Sequence, residues 1–257
     1  MDLIQILILA IIQGITEWLP ISSSGHLVVV QQHLGLQEIP LIFDVSLHVG
    51  TLCVILVAFR KDIAEIVKAL YKLDFESAEG KLAMYIVLGS IPTAIIGFLF
   101  HDIFKLLFNS TLAVGTALII TGFILYFSKL RKNGEELSYL DSLLIGIAQG
   151  VAIAPGISRS GVTLSMGFLR RIKKEVVFRY SFLLSIPAVI GATVMESKDL
   201  MVGEVDMVAL LFGVLVSMMV GYVSLKLLLK IVLKEKFHLF AYYCWIIGLI
   251  IVVFSAF

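Results

Sequence analysis

The 257-residue chain is 60% hydrophobic and 15% charged, with a formal net charge of +1. Soluble domains carry about 25% charged residues, and a near-neutral balance without a basic stripe excludes nucleic acid as a partner. The apolar stretches last as long as a bilayer is thick, which predicts an all-α integral membrane protein among membrane lipids. Cys53 and Cys244 lie inside apolar stretches and read as small packing residues, neither a disulfide nor a metal pair. The opening Met-Asp-Leu-Ile has no basic n-region, so the first apolar segment is expected in the mature fold.

A hydrocarbon core of ~30 Å needs roughly 20 helical residues. The first apolar stretch, Leu3–Ile15, is too short and runs into Thr16-Glu17-Trp18-Leu19-Pro20 and then Ser22-Ser23-Ser24-Gly25-His26. Polar, Gly- and Pro-rich backbone survives at membrane depth only when buried in protein or lining a wet cavity, so this segment is predicted to be a re-entrant helix–loop–helix hairpin. Three full spans follow, Leu41–Phe59, Met84–Phe100 and Thr111–Phe127. Leu140–Ala154 then runs into Pro155-Gly156-Ile157-Ser158-Arg159-Ser160-Gly161, a second predicted hairpin. Three more spans close the chain, Ser181–Met195, Met207–Leu225 and Leu239–Phe257, of which Ser181–Met195 is short and must borrow residues from its flanks.

The hairpins are an internal repeat. Gln13-Gly14 aligns with Gln149-Gly150, and Ser22-Ser23-Ser24-Gly25 with Ser158-Arg159-Ser160-Gly161, both at an offset of 136 residues. The single membrane domain, residues 1–257, therefore divides into a first repeat, 1–130, and a second, 131–257. Lysine and arginine concentrate in Arg60–Lys81, Lys129–Tyr139, Arg170–Arg179 and Lys226–Phe237, against Lys105 and Lys198 on the opposite side. The positive-inside rule assigns the rich side to the cytoplasm. An odd number of spans separates the hairpins, so the repeats are expected in inverted topology, with broken helices meeting near the midplane.

Charged residues in a membrane cost ~2.5–3.5 kcal/mol each on insertion scales and default to function. The two breaks collect Gln13, Glu17, Ser22, Ser23, Ser24 and His26, and Ser158, Arg159, Ser160 and Gly161. Gln13 and Glu17, four apart, share a helix face. Serine hydroxyls, glycine and the free amides of a helix N-terminus make an anion cradle, and an arginine grips phosphate oxygens bidentately. Two facing cradles with one arginine suit a diphosphate. Such breaks also serve as close-packing kinks, and Glu17 with Arg159 also reads as a structural ion pair. Asp44 and His48 share a helix face near a span end, where a supporting role and interfacial hydration both remain open.

Gln13-Gly-Ile-Thr-Glu17-Trp-Leu-Pro-Ile-Ser-Ser-Ser-Gly-His26 resembles the first signature of the undecaprenyl-diphosphate phosphatase (bacitracin-resistance) family, Glu/Gln-Gly-x-Thr-Glu-Phe-x-Pro-x-Ser-Ser-Thr/Ser-Gly-His. Pro155-Gly-Ile-Ser-Arg-Ser-Gly161 is similar to its second signature, and Phe43-Asp-Val-Ser-Leu-His-Val-Gly50 to a third stretch. The resemblance implies cleavage of undecaprenyl diphosphate, a polyprenyl diphosphate lipid, to the monophosphate. It further implies carrier recycling for cell-wall synthesis, bacitracin resistance, a plasma-membrane location and a site facing outward. Its second acidic position falls on Glu17, its serine pair on Ser22 and Ser23, its histidine on His26, and its second-signature serine and arginine on Ser158 and Arg159. The chemistry then makes Glu17, Ser23, His26 and Arg159 the catalytic candidates, with Ser22, Ser24, Ser158, Ser160 and Gly161 binding substrate. A divalent cation, Mg²⁺ or Ca²⁺, would be held by Glu17 and Gln13. Gln13 stands where the family often has glutamate, and an amide cannot serve as a base. Ser23 is the candidate nucleophile with His26 as its acid–base partner, and attack by a metal-activated water stays open.

Ser24-Gly25-His26 also matches the central signature of the type 2 phosphatidic-acid phosphatases, but no histidine follows Arg159 until His238, and that reading fails. A transporter or flippase of the carrier lipid remains the alternative, since opposed hairpins are transporter architecture. Homodimer formation is open.

Overall fold

The computed structural model describes residues 2–36, 41–129, 134–196 and 207–255. Arg131, Lys132, Lys198, the boundary between the expected halves and Phe257 lie outside the described residues. Within them the chain is helical. The first hairpin is α1 (Leu3–Thr16) and α2 (Ser23–His33), followed by α3 (Leu41–Ala58), α4 (Arg60–Tyr71), α5 (Ala78–Leu99), α6 (His101–Phe108) and α7 (Thr111–Phe127). The second hairpin is α8 (Tyr139–Val151) and α9 (Arg159–Leu169), followed by α10 (Lys174–Glu196), α11 (Met207–Leu233), a 3-10 turn (Phe237–Leu239) and α12 (Phe240–Phe254).

Among the described residues four helices are long and apolar enough to cross a membrane alone, and six segments qualify when each of two bent helix pairs is taken as one span. At 1.5 Å per residue, the 14 residues of α1 and the 13 of α8 each reach only ~20 Å. Neither is long enough to cross a ~30 Å hydrocarbon core by itself, which fits the two predicted hairpins.

The spans run further than their apolar cores. α5 starts at Ala78 and α10 at Lys174, each several residues before the predicted Met84 and Ser181, while α11 continues past Leu225 to Leu233. The added turns carry Glu79 and Lys81, Lys174 and Arg179, and Lys226 and Lys230. Helical hydrogen bonding does not stop where the hydrocarbon does, and long basic side chains snorkel to the interface. Two stretches expected as loops are helical for the same reason. α4 turns 76° from α3, and α6 meets α7 at 105°. α4 buries Ile66 and Ala69 while Lys61, Lys68 and Lys72 stay exposed, the pattern of a helix lying along a surface.

Local capping sets where the hairpin helices begin. Asp2 accepts from the Gln5 amide at 2.7 Å and Gln5 returns the bond, and Ser138 and Asp141 do the same for α8. Ser22 and Ser158 cap α2 and α9, accepting from the amides of Gly25 and Gly161.

Packing crosses the two halves of the sequence. α1 lies along α11 and α8 along α5, while α3 touches both α10 and α11, and α7 pairs with α12. Each hairpin is thus seated on a helix from the other half. Glycine makes the approach close enough. A Cβ on Gly14 would sit 2.8 Å from the Ser217 carbonyl oxygen on α11, and one on Gly146 only 2.1 Å from the Gly89 carbonyl oxygen on α5. Thr93 seals the second contact by donating to the Gly146 carbonyl at 2.8 Å. Small residues at such crossings are what let membrane helices pack. Gly146→Ala should therefore cost about 1–3 kcal/mol through backbone displacement, read as a lower unfolding temperature in detergent. Gly191→Ala, on α10 with nothing within 4 Å of its Cβ position, should leave the transition unchanged or slightly raised.

Candidate functional site

The tips of the two hairpins meet. Ser22 has φ +67°, a left-handed conformation that turns the chain sharply between Pro20 and α2. Its hydroxyl oxygen accepts from the Gly156 amide at 3.1 Å, across 134 residues of sequence, as well as capping its own helix. Gly156 (φ +91°) has its Cβ position 2.4 Å from the Val114 carbonyl oxygen, so only glycine fits. Thr121 of α7 locks the same tip, donating to the Gly156 carbonyl at 2.9 Å and accepting from the Ser158 amide at 3.2 Å.

Beside this latch sits Glu17, buried, at the C-terminal end of α1. Arg159, the first residue of α9, donates from Nη2 to Glu17 Oε1. Ser23, the first residue of α2, donates from Oγ to Glu17 Oε2 at 2.6 Å, and Gln13 Nε2 reaches the same oxygen at 3.2 Å. His48 Nε2 lies 3.8 Å from it. The indole of Trp18 backs the guanidinium, 5.6 Å from ring centroid to Cζ. One carboxylate thus gathers four side chains from four helices, α1, α2, α3 and α9.

The predicted site residues fall into two groups. Ser23, Ser24, His26 and Arg159 are partly accessible and border the opening, whereas Ser22, Ser158, Ser160 and Gly161 are buried. The hydroxyls of Ser22 and Ser158 are spent as helix caps, and each stands 3.4 Å from the serine two residues on, Ser24 and Ser160. These caps leave the first amides of α2 and α9 without an intrahelical acceptor.

The expected Ser23–His26 pairing is not what the geometry presents. Ser23 is bonded to Glu17, and both His26 nitrogens are engaged elsewhere. Nδ1 lies 2.8 Å from the Ser22 carbonyl oxygen and Nε2 2.8 Å from the Tyr243 hydroxyl. On a helix the imidazole of residue 26 folds back onto its own preceding turn, and the Glu17 carboxylate occupies the place beside Ser23. His48 and Tyr243 are the members that sequence reasoning underrated or passed over. His48 was legible through Phe43–Gly50, while Tyr243 sits in an aromatic run of α12 that reads as ordinary lipid-facing sequence.

An apolar cleft of about 310 Å³ adjoins the site, lined by Ile12, Ile15, Thr16, Leu19, Ile21, His26, Phe240 and Tyr243. The polar site and this cleft share His26. Together they suit an amphiphile, with a charged head at Glu17 and Arg159 and a hydrocarbon body in the cleft.

The donor set also bears on the expected cation. Among the described residues no three His, Cys, Asp or Glu side chains are grouped to hold a metal by themselves. Glu17 and Gln13 nevertheless share a face, and the buried Gln13 Oε1 lacks a hydrogen-bond partner. A carboxylate plus an orphaned amide oxygen fits a hard cation whose other ligands come from phosphate oxygens.

Fold and site thus define a membrane-embedded helical protein with opposed hairpins converging on a carboxylate–serine–arginine centre. The family described as bacitracin resistance protein BacA matches residues 6–250. The undecaprenyl-diphosphatase of Carboxydothermus hydrogenoformans is 41% identical, covering 100% of this chain and 98% of that one. Those of Halothermothrix orenii and Methanosphaera stadtmanae are also 41% identical, each covering 99% of both chains. The chain belongs to the bacitracin resistance protein BacA family.

Ser22→Ala removes an acceptor from two buried amides on two hairpins. It should destabilise the protein by about 1–3 kcal/mol, seen as a lower unfolding temperature in detergent, with Ser24→Ala close to wild type in the same assay.

Proposed function

We propose that this protein is an undecaprenyl-diphosphate phosphatase, hydrolysing a polyprenyl diphosphate to the lipid monophosphate and inorganic phosphate. The observation that carries the reading is the Ser23 hydroxyl donating at 2.6 Å to a carboxylate that also holds Arg159. A nucleophile, its base and an anion clamp are in contact at a helix-terminus cradle, the parts list of phosphoryl transfer.

Arg159 binds the terminal phosphoryl group by turning its fork from Glu17 to the phosphate oxygens. Glu17, relieved of its ion pair, takes the proton of Ser23 as Oγ attacks phosphorus and the lipid monophosphate leaves. Water then hydrolyses the phosphoserine: protonated Glu17 returns its proton to the departing serine oxygen, and the water's remaining proton leaves on the released hydrogen phosphate, so that Glu17 is again ionised. The amides of Ser23, Ser24, Arg159 and Ser160 surround the phosphoryl oxygens where charge accumulates. His26, at the border of the apolar cleft, stands on the side of the lipid-bearing phosphate. Glu17 and Gln13 would hold a divalent cation, Mg²⁺ or Ca²⁺, which neutralises phosphate charge when bound.

We assign residues 1–130 and 131–257 to inverted repeats in the plasma membrane, with the site open to the extracytoplasmic side. The cross-half packing of α1 on α11 and α8 on α5 supports the repeat, and the basic residues of α4 and of the start of α10 support the orientation.

Phosphate release in detergent tests the activity. Arg159→Ala should lower turnover 10²-fold or more, the scale of losing one oxyanion donor, and Arg159→Lys should recover little of it. Near wild-type turnover with lysine would reduce the arginine to bulk charge. Glu17→Gln should abolish release at every Mg²⁺ or Ca²⁺ concentration, while Gln13→Glu should shift the cation dependence to lower concentration. Topology is read by an impermeant thiol reagent on Cys53→Ser, Cys244→Ser cells. Asn109→Cys should label from outside and Glu76→Cys only after permeabilisation, and the reverse pattern would invert the assignment.

A further inference from the structure

The two nitrogens of His26 have different partners, and their chemistry fixes the ring's state. A carbonyl oxygen can only accept, so the 2.8 Å contact to Ser22 makes Nδ1 the protonated nitrogen of the neutral ring. Nε2 then carries the lone pair, and the Tyr243 hydroxyl, 2.8 Å away, donates to it. The two rings also lie nearly parallel, with centroids 5.8 Å apart and planes 17° from each other. Tyr243 comes from α12, 217 residues away in sequence and outside both hairpins.

Tyr243 does not need this bond for its own burial. Its side of α12 is partly open at 38% exposure, and a hydroxyl there can be satisfied by water or a lipid headgroup. Nor does the cleft supply another partner for Nε2. Thr16, the remaining hydroxyl of the lining, donates to the Ile12 carbonyl at 2.6 Å. The ring of His26 is therefore held at two points, one on its own hairpin and one on α12, with its lone pair fixed at the seam between the anion site and the apolar cleft.

We propose that Tyr243 is a positioning residue of this phosphatase, acting through His26. Its hydroxyl occupies the Nε2 lone pair and so fixes the imidazole ring at the seam where the phosphate nearest the hydrocarbon would lie. The inference rests on the phosphatase reading for its kinetic consequence but on the hydrogen bond alone for its spectroscopic one. Removing the hydroxyl leaves the stacked ring in place and frees the imidazole to swing about its remaining Ser22 contact. That should slow the step after binding and leave binding itself nearly untouched, because Tyr243 contributes no charge to the head-group site.

Tyr243→Phe separates the hydroxyl from the ring. With a polyprenyl diphosphate in detergent, kcat should fall about tenfold, the scale of one lost hydrogen bond that holds a site residue in place, with KM within about twofold and the unfolding temperature unchanged. In a His26→Ala background the same substitution should cost little further, since the two act as one unit. Nitrogen-15 spectra of histidine-labelled protein, assigned by loss of a signal in His26→Ala, give a readout independent of turnover. Nε2 of His26 should move toward an unbonded acceptor in Tyr243→Phe while Nδ1 stays put. An unmoved Nε2 signal overturns the proposal, as does a Tyr243→Phe loss that persists undiminished without His26. If wild-type protein releases no phosphate, the phosphatase reading fails, and the spectra still decide whether Tyr243 holds the ring.

Discussion

Glu17 reaches Arg159 and Ser22 reaches Gly156 across the junction of two half-helices that cannot cross a bilayer. Each tip alone would bring polar backbone and a charge to membrane depth without a partner. Paired, they satisfy one another, and removing either ion-pair partner would leave an uncompensated buried charge worth several kcal/mol. The rest of the fold follows from keeping the tips together. α11 and α5 brace the outer half-helices through glycine contacts, and α7 locks the tip of the second hairpin through Thr121. Function draws on the same junction. In the proposed mechanism, this ion pair, neutral overall, becomes an anion clamp and a free base once an incoming phosphate competes for the guanidinium.

Architecture was legible because a bilayer writes itself into sequence. The lengths of the apolar stretches, the two interrupted ones and the asymmetry of lysine and arginine led to six spans and two hairpins. The helices match that expectation in number and order among the described residues. The misjudged regions, Arg60–Lys81 and His101–Ser110, are where hydropathy stops being informative. α4 and α6 are amphipathic, and a helix that lies along a surface has no long apolar run to announce it.

The site was legible in composition but less so in pairing. Gathering Glu17, Ser23 and Arg159 required only the repeat and the cost of buried charge. Which side chain Ser23 would face depended on turn geometry that spacing cannot encode. The positive φ of Ser22 swings the start of α2 so that Ser23 returns to Glu17, six residues earlier. The same turn points His26 back at the Ser22 carbonyl and out toward α12. Long-range partners on plain apolar helices, such as Tyr243, leave no local signal at all.

The division of labour between the two sides of His26 carries the substrate's orientation. On one side lie a carboxylate, a guanidinium, an orphaned amide oxygen and open helix amides, and on the other a cleft lined mostly by isoleucine, leucine and phenylalanine. The cleft, of about 310 Å³, has room for only the beginning of a polyprenyl chain. The remainder of a long polyprenyl tail stays among the membrane lipids, where it costs nothing to leave it. In the proposed reading, a diphosphate placed by these two environments puts its terminal phosphorus at Ser23 and its lipid-bearing phosphate toward His26. Cleavage in that pose breaks the anhydride and leaves the hydrocarbon attached to one phosphate. On the same reading, the product keeps its tail in the bilayer and offers less charge for Arg159 to hold, which favours return of the Glu17 ion pair.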